Sequence, residues 1–274
     1  MVRHCRGRQE MLKRIQDGEI GDLIALRAYR MSAGSARVGP KPANISDLMY
    51  QIRSFHSFIW ASGGVYSDYY IHQIDECCWM KGAWPVSAHA LGARHYRGRY
   101  VDQNLDVYAV EYTFPDGTKL FYNGRNMDGC HSEFASYGLG SKGSCVITTA
   151  SHTPGRVRTF KNHTMAKGDL IWAFPQPEPN PYRMEWVDLI TAIRNDQKYN
   201  EVKRGAEASL VTSMGRMAAH TGQLITFAQM LNCPHEMAPD VDKLATADSP
   251  APVQADAEGK YPWPEPGIKK DREY

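Results

Sequence analysis

Leu105-Asp106-Val107-Tyr108-Ala109-Val110-Glu111-Tyr112-Thr113-Phe114 decides the fold. Its two alternating sets of side chains are both largely apolar: Tyr108, Val110, Tyr112 and Phe114 in one, Leu105, Val107 and Ala109 in the other. A period of two is the signature of a strand. Apolar residues on both sides predict a sheet that needs cover on both faces, with helices on one and a partner on the other. Pro115-Asp116-Gly117-Thr118 is a hairpin turn, returning the chain as a second strand over 119–127. Further out, 86–96, 133–138, 144–149 and 22–31 read as strands. Helical spacing is expected over 4–17, 46–60, 65–80 and 185–194, and as one long stripe over 202–231. The order is helix, strand, helices, several antiparallel strands, helices. It predicts an α+β fold: an open, largely antiparallel sheet with helices on one face, and no complete Rossmann domain. Residues 1–232 form this unit. Residues 233–274 turn polar and proline-rich and read as an extended arm.

Composition excludes several classes. The chain has 274 residues, 42% of them hydrophobic, and a net charge of +2. That charge gives no drive toward nucleic acid or an anionic membrane surface. No apolar run approaches the ~20 residues of a membrane-spanning helix. The six cysteines include no Cys-x-x-Cys pair, so they read as reduced core residues of a cytoplasmic protein. Gly138-Leu139-Gly140-Ser141-Lys142-Gly143 has the letters of a dinucleotide-binding fingerprint but runs into the strand formers 144–149. The fingerprint needs a helix there, because the helix start holds the pyrophosphate, so a glycine-rich β-turn is the reading.

Chemistry concentrates in Gly63-Gly64-Val65-Tyr66-Ser67-Asp68-Tyr69-Tyr70-Ile71-His72-Gln73-Ile74-Asp75. On an α-helix Asp68, His72 and Asp75 share one face. A carboxylate one turn from an imidazole fixes its tautomer and raises its pKa, as an acid–base catalyst requires. The two glycines would let a ligand approach the helix start. A polar surface stripe, or a buried histidine satisfied by Asp68, has the same spacing. A metal held by His72 with Asp68, Asp75 or Glu76 lacks a second ligand cluster and is not expected. Arg125 and Arg30, late in their strands, and Tyr69 or Tyr70 are candidates to meet a polyhydroxy substrate, with surface charge and core packing as the competing roles.

Several landmarks together resemble the glucose–fructose oxidoreductase and inositol dehydrogenase (Gfo/Idh/MocA) family. They are Gln16-Asp-Gly-Glu-Ile-Gly-Asp-Leu23, Gly64-x3-Asp68-x3-His72-x2-Asp75 with Trp79-x2-Gly82-x2-Pro85, Phe114-Pro-Asp-Gly117, Gly140-Ser-Lys-Gly143 and Asn180-Pro-Tyr-x2-Glu185-x2-Asp188. The ending Tyr261-Pro-Trp-Pro-Glu-Pro-Gly267 is similar to tails of a bacterial branch. The resemblance implies a dihydrodipicolinate-reductase-like C-terminal domain that handles a sugar, sugar derivative or cyclitol, and the apolar second face of the sheet reads as the surface of a homo-oligomer. The resemblance implies His72 as catalytic base, Asp68 as its acidic partner and Arg125 near the substrate, while Arg30, Tyr70 and Asp75 remain substrate-binding candidates from their positions in the sequence. It also implies NAD or NADP on a Rossmann domain that has no counterpart in this sequence, nor has the family's Glu-Lys-Pro lysine, so the cofactor half would come from elsewhere. Two other roles fit the same scaffold: NAD-dependent glycoside cleavage, and a non-catalytic binding or dimerisation module.

Overall fold

In a computed structural model, which describes residues 1–95 and 97–274, the chain builds one nine-stranded sheet. Its helices are α1 (Arg6–Gln16), α2 (Asp47–Arg53), α3 (Ile59–Ser62), α4 (Ile71–Lys81), α5 (Pro181–Arg194), α6 (Val202–Thr221) and α7 (Phe227–Leu231). The strands are β1 (Leu23–Ser32), β2 (Ser87–Ala93), β3 (Val107–Thr113), β4 (Lys119–Asn126), β5 (Glu133–Gly140), β6 (Ser144–Thr149), β7 (Arg158–Phe160), β8 (Leu170–Ala173) and β9 (Ile225–Thr226). Their order across the sheet is β8-β7-β6-β5-β1-β4-β3-β2-β9. β1 runs parallel to β4, and the other pairs are antiparallel. β1 therefore sits in the middle of the sheet although it comes first in the chain.

The alternation in β3 reports the two faces. Tyr108, Val110 and Tyr112 are buried, as are Leu120 and Tyr122 of β4 and Leu26 and Ala28 of β1, in the core shared with α4 and α6. The intervening residues face the other way. There the sheet shows solvent a mixed surface that includes Leu91, 77% exposed, and Phe121, 41% exposed. Pro115–Thr118 forms the hairpin turn: Gly117 takes a positive φ of 85°, and Asp116 accepts from the Thr118 amide. Gly140 and Gly143 close the β5–β6 hairpin through a backbone bond of 2.8 Å. The glycine-rich segment is a β-turn with no helix after it.

Several boundaries differ from expectation. The 46–60 helix is divided into α2, a 3-10 turn at Phe55–Ser57, and α3. The 202–231 stripe is divided at Gly222, whose left-handed φ of 71° ends α6 before β9 and α7. The 86–96 strand stops at Ala93, and Tyr96 lies outside the described residues. β7, β8 and β9 are too short to carry a pattern of their own.

Residues 233–274 have little regular structure and pack against the rest of the chain. Tyr261 is buried edge-on against Phe58 at 4.8 Å between ring centres and stacks on Tyr50 at 6.3 Å. Gln103 donates to the Pro262 carbonyl. Glu273, next to the last residue, is buried against α6. Its carboxylate accepts from Arg216 through Nε and Nη2, both at 2.9 Å, and lies 2.6 Å from His220 Nδ1. No described helix is long and apolar enough to cross a membrane, and no disulfide links the described cysteines.

Candidate active site

The glycines before the expected catalytic helix accommodate the protein rather than a ligand. Gly63 and Gly64 take φ of 73° and 67°. A Cβ on Gly63 would lie 2.5 Å from Arg216 Nη1 and Ser67 Cβ, and one on Gly64 would lie 2.5 Å from Asn104 Oδ1. Asn104 Oδ1 accepts from the Val65 amide, while its Nδ2 donates to the Ala36 and His56 carbonyls. The helix start is thus bound to neighbouring segments by one buried amide side chain.

Tyr66–Tyr70 is a π-helical turn, and regular α-helix begins only at Ile71. A π turn closes i→i+5 and shifts the phase of Asp68 relative to regular α-helical spacing. Asp68 instead puts Oδ2 2.7 Å from His56 Nδ1. Asp75 is also committed elsewhere: Arg3 grips it, with Nε 3.1 Å from each oxygen and Nη2 2.6 Å from Oδ1. The expected Asp68–His72–Asp75 stripe does not assemble.

His72 meets different company. Its ring lies 4.2 Å, centre to centre, from that of His152 in the turn after β6. Arg30, from β1, donates through Nη1 to His152 Nε2 at 3.1 Å. The Arg30 guanidinium also lies over the rings of Phe134, at 4.3 Å, and Tyr69, at 5.8 Å. His72 makes no hydrogen bond to any described residue, and its ring nitrogens are not sealed from solvent. Burial and then the Arg30 charge push its pKa down to about 4, against a smaller opposing pull from Asp75. This reverses the expected effect of a carboxylate partner. At neutral pH His72 is an uncharged imidazole with a free lone pair.

The substrate candidates separate. Arg30 stands in this cluster. Strand alternation puts Arg125 on the opposite, open face with Phe121 and Asn123, and it donates to the His131 carbonyl. Tyr70 is buried among Tyr66, Tyr108 and Tyr122 and is core packing. Tyr69, between Arg30 and His56, is the tyrosine beside the site. No group of three or more described His, Cys, Asp or Glu side chains is arranged to hold a metal. His152 and His56 were missed because each lies on a distant or separate segment, without a spacing pattern to link it to His72.

With this geometry in place, likeness to solved structures becomes informative. The aldose-aldose oxidoreductase of Caulobacter crescentus, crystallised with glycerol, superposes with a TM-score of 0.62 at 17% identity, covering 82% of this chain and 62% of that one. An oxidoreductase domain protein from Kribbella flavida gives 0.61 at 14% identity, over 82% and 64%. The myo-inositol 2-dehydrogenase of Lactobacillus plantarum gives 0.53 at 20% identity, over 82% and 62%. This chain shares its fold with part of each of these three proteins. It spans about three-fifths of the length of these proteins. No family model matches the sequence, and no curated protein matches it.

Proposed function

We propose that this chain is the substrate side of an oxidoreductase acting on a sugar, sugar derivative or cyclitol, with His72 accepting the proton of the hydroxyl being oxidised. One observation carries this reading. A half-buried imidazole, kept neutral and left without a hydrogen-bond partner, sits beside an arginine on the face where the helices meet the sheet. Such a group is deprotonated at neutral pH and open to accept a proton, with a basicity below that of an ordinary imidazole. Arg30 and Tyr69 are placed to orient hydroxyl groups, and the Arg30 charge favours a substrate oxygen on its way to alkoxide.

Oxidation also requires a hydride acceptor, and the fold family implies NAD or NADP. The described residues do not fit a dinucleotide: the one glycine-rich segment with the right letters is the β5–β6 hairpin, with no helix start to hold a pyrophosphate. No hydride step is therefore assigned to residues of this chain, and the acceptor would be bound by a separate unit. The reading is tested by turnover of aldoses and inositols with NAD(P) in the assembly that contains that unit. His72→Ala should lower kcat by a factor on the order of 10² or more while the fold survives. Wild-type turnover in that variant would remove His72 from the chemistry.

A further inference from the structure

We infer that His152 is a positioning residue for His72: Arg30 locks it in a single tautomer, and a buried arginine strut presses it against the His72 ring. This rests on the reading of His72 as the base and adds to it a residue from another part of the chain.

The strut begins on the helix of His72. Glu76, one turn further along α4, is buried and pairs with Arg8 of α1 at 2.9 Å, and Thr148 at the end of β6 donates to the same carboxylate oxygen at 2.9 Å. Arg8, itself fully buried, donates from Nη1 and Nη2 to the backbone carbonyl of His152, both at 3.0 Å. Gly155 allows the turn to close over the guanidinium, since a Cβ there would lie 3.2 Å from Arg8 Cζ. The backbone that carries His152 is therefore tied through Arg8 to the helix that carries His72, and their ring contact is set by buried charge-assisted bonds.

The tautomer follows from donor chemistry. A guanidinium has only N–H groups to offer, so His152 Nε2, 3.1 Å from Arg30 Nη1, must be the acceptor and the ring proton must sit on Nδ1. The far side of the ring is closed by Phe134, edge-on at 4.7 Å. The charged groups facing His152 are Arg30 from β1 and Arg8 from α1, together with His72 itself. Those facing His72 are Arg30 and Arg8, opposed by Asp75, which is already held by Arg3, while Glu76 one turn along α4 is paired with Arg8. Protonating either ring would set a new cation among existing ones. Burial and this company push His152 down to about 3, so both rings stay neutral and His72 keeps its lone pair.

The test is long-range proton–nitrogen NMR on the full chain with nitrogen-labelled histidine, and it needs neither substrate nor cofactor. At neutral pH His152 should show the Nδ1–H tautomer. Arg30→Met should release it toward the Nε2–H form and raise the midpoints of both His72 and His152 by about one pH unit or more, and Arg30→Lys should restore the wild-type pattern. His152→Ala should raise the His72 midpoint by uncovering its ring, with amide spectra confirming that each variant is folded. An Nε2–H tautomer in the wild type, or a His72 midpoint unmoved in folded Arg30→Met and His152→Ala proteins, overturns the inference. The expected NMR result without sugar oxidation would leave this inference standing and remove only the assigned reaction. His72-dependent oxidation with the wrong tautomer would do the reverse.

Discussion

His220 and His72 each sit beside an arginine, and they are treated in opposite ways. His220 on α6 is completely enclosed. Its Nδ1 lies 2.6 Å from Glu273, its Nε2 lies 3.1 Å from the Tyr108 hydroxyl, and the same carboxylate holds Arg216. Every polar group there has a partner, and Arg216 uses a further N–H on Ser67 at 2.5 Å. His72 has the neighbouring arginine but no carboxylate, because Asp68 is taken by His56 and Asp75 by Arg3. A satisfied buried network specifies a structure and does nothing more. An imidazole left unpaired at the edge of the core has spare chemistry. The presence of an Asp near a His does not separate the two cases. What separates them is which carboxylate remains unspent.

The largest expected effect is on the closed cluster. Glu273→Ala leaves Arg216 buried without its counter-charge, and urea unfolding should show a loss of about 3–5 kcal/mol. A loss below about 1 kcal/mol would mean that the tail carboxylate is not the partner the geometry indicates, and the contrast would fail. The loss should be far larger than for trimming exposed residues of the same arm, such as Asp240 or Lys243.

An intermediate effect is expected from acid. His72 and His152 both have folded pKa values below the ordinary 6.5, near about 4 and about 3. The unfolded chain therefore takes up protons first on acidification. Their contribution is fully present above pH 6.5 and is lost as pH falls through the range between that value and the folded ones. His220, also lowered by burial, acts in the same direction. Glu273 is held below the usual carboxylate range, chiefly by Arg216 against the cost of burial, so its contribution persists to lower pH and is lost only below the ordinary glutamate value. Urea midpoints should decline from pH 7 to pH 5, and a folded His72→Phe, His152→Phe double variant should decline less steeply. An equal decline in the variant would show that these two rings are not the neutral pair.

The smallest effect sharpens the comparison most. Asp68→Asn should leave the titration of His72 within about 0.3 pH units of wild type, because Asp68 faces His56. A drop of about one unit would restore the Asp68–His72 pair and make the two histidine clusters alike.

Much of the scaffold was legible in the sequence because sheet-forming segments carry their own evidence. The alternation from Val107 to Thr113, the Pro115–Thr118 turn and the hairpin at Gly140–Gly143 each depend on neighbours within a few residues. The site was less legible, for two physical reasons. A π turn changes the phase of a helix by one residue, and nothing in Tyr66-Ser67-Asp68-Tyr69-Tyr70 announces it. The groups that surround His72 come from β1, the turn after β6, and α1, brought together by strand order and the buried Arg8–Glu76 pair.

The sequence by itself determined the longer strands and helices, the two-faced central strands and the position of a histidine in the most chemically suggestive segment, because these follow from local periodicity and turn chemistry. Only the tertiary structure decided which partners that histidine keeps. Carboxylates are claimed by whichever cations the folded chain brings nearest, and the distances from Asp75 to Arg3 and from Asp68 to His56 are properties of packing that no spacing along the chain encodes.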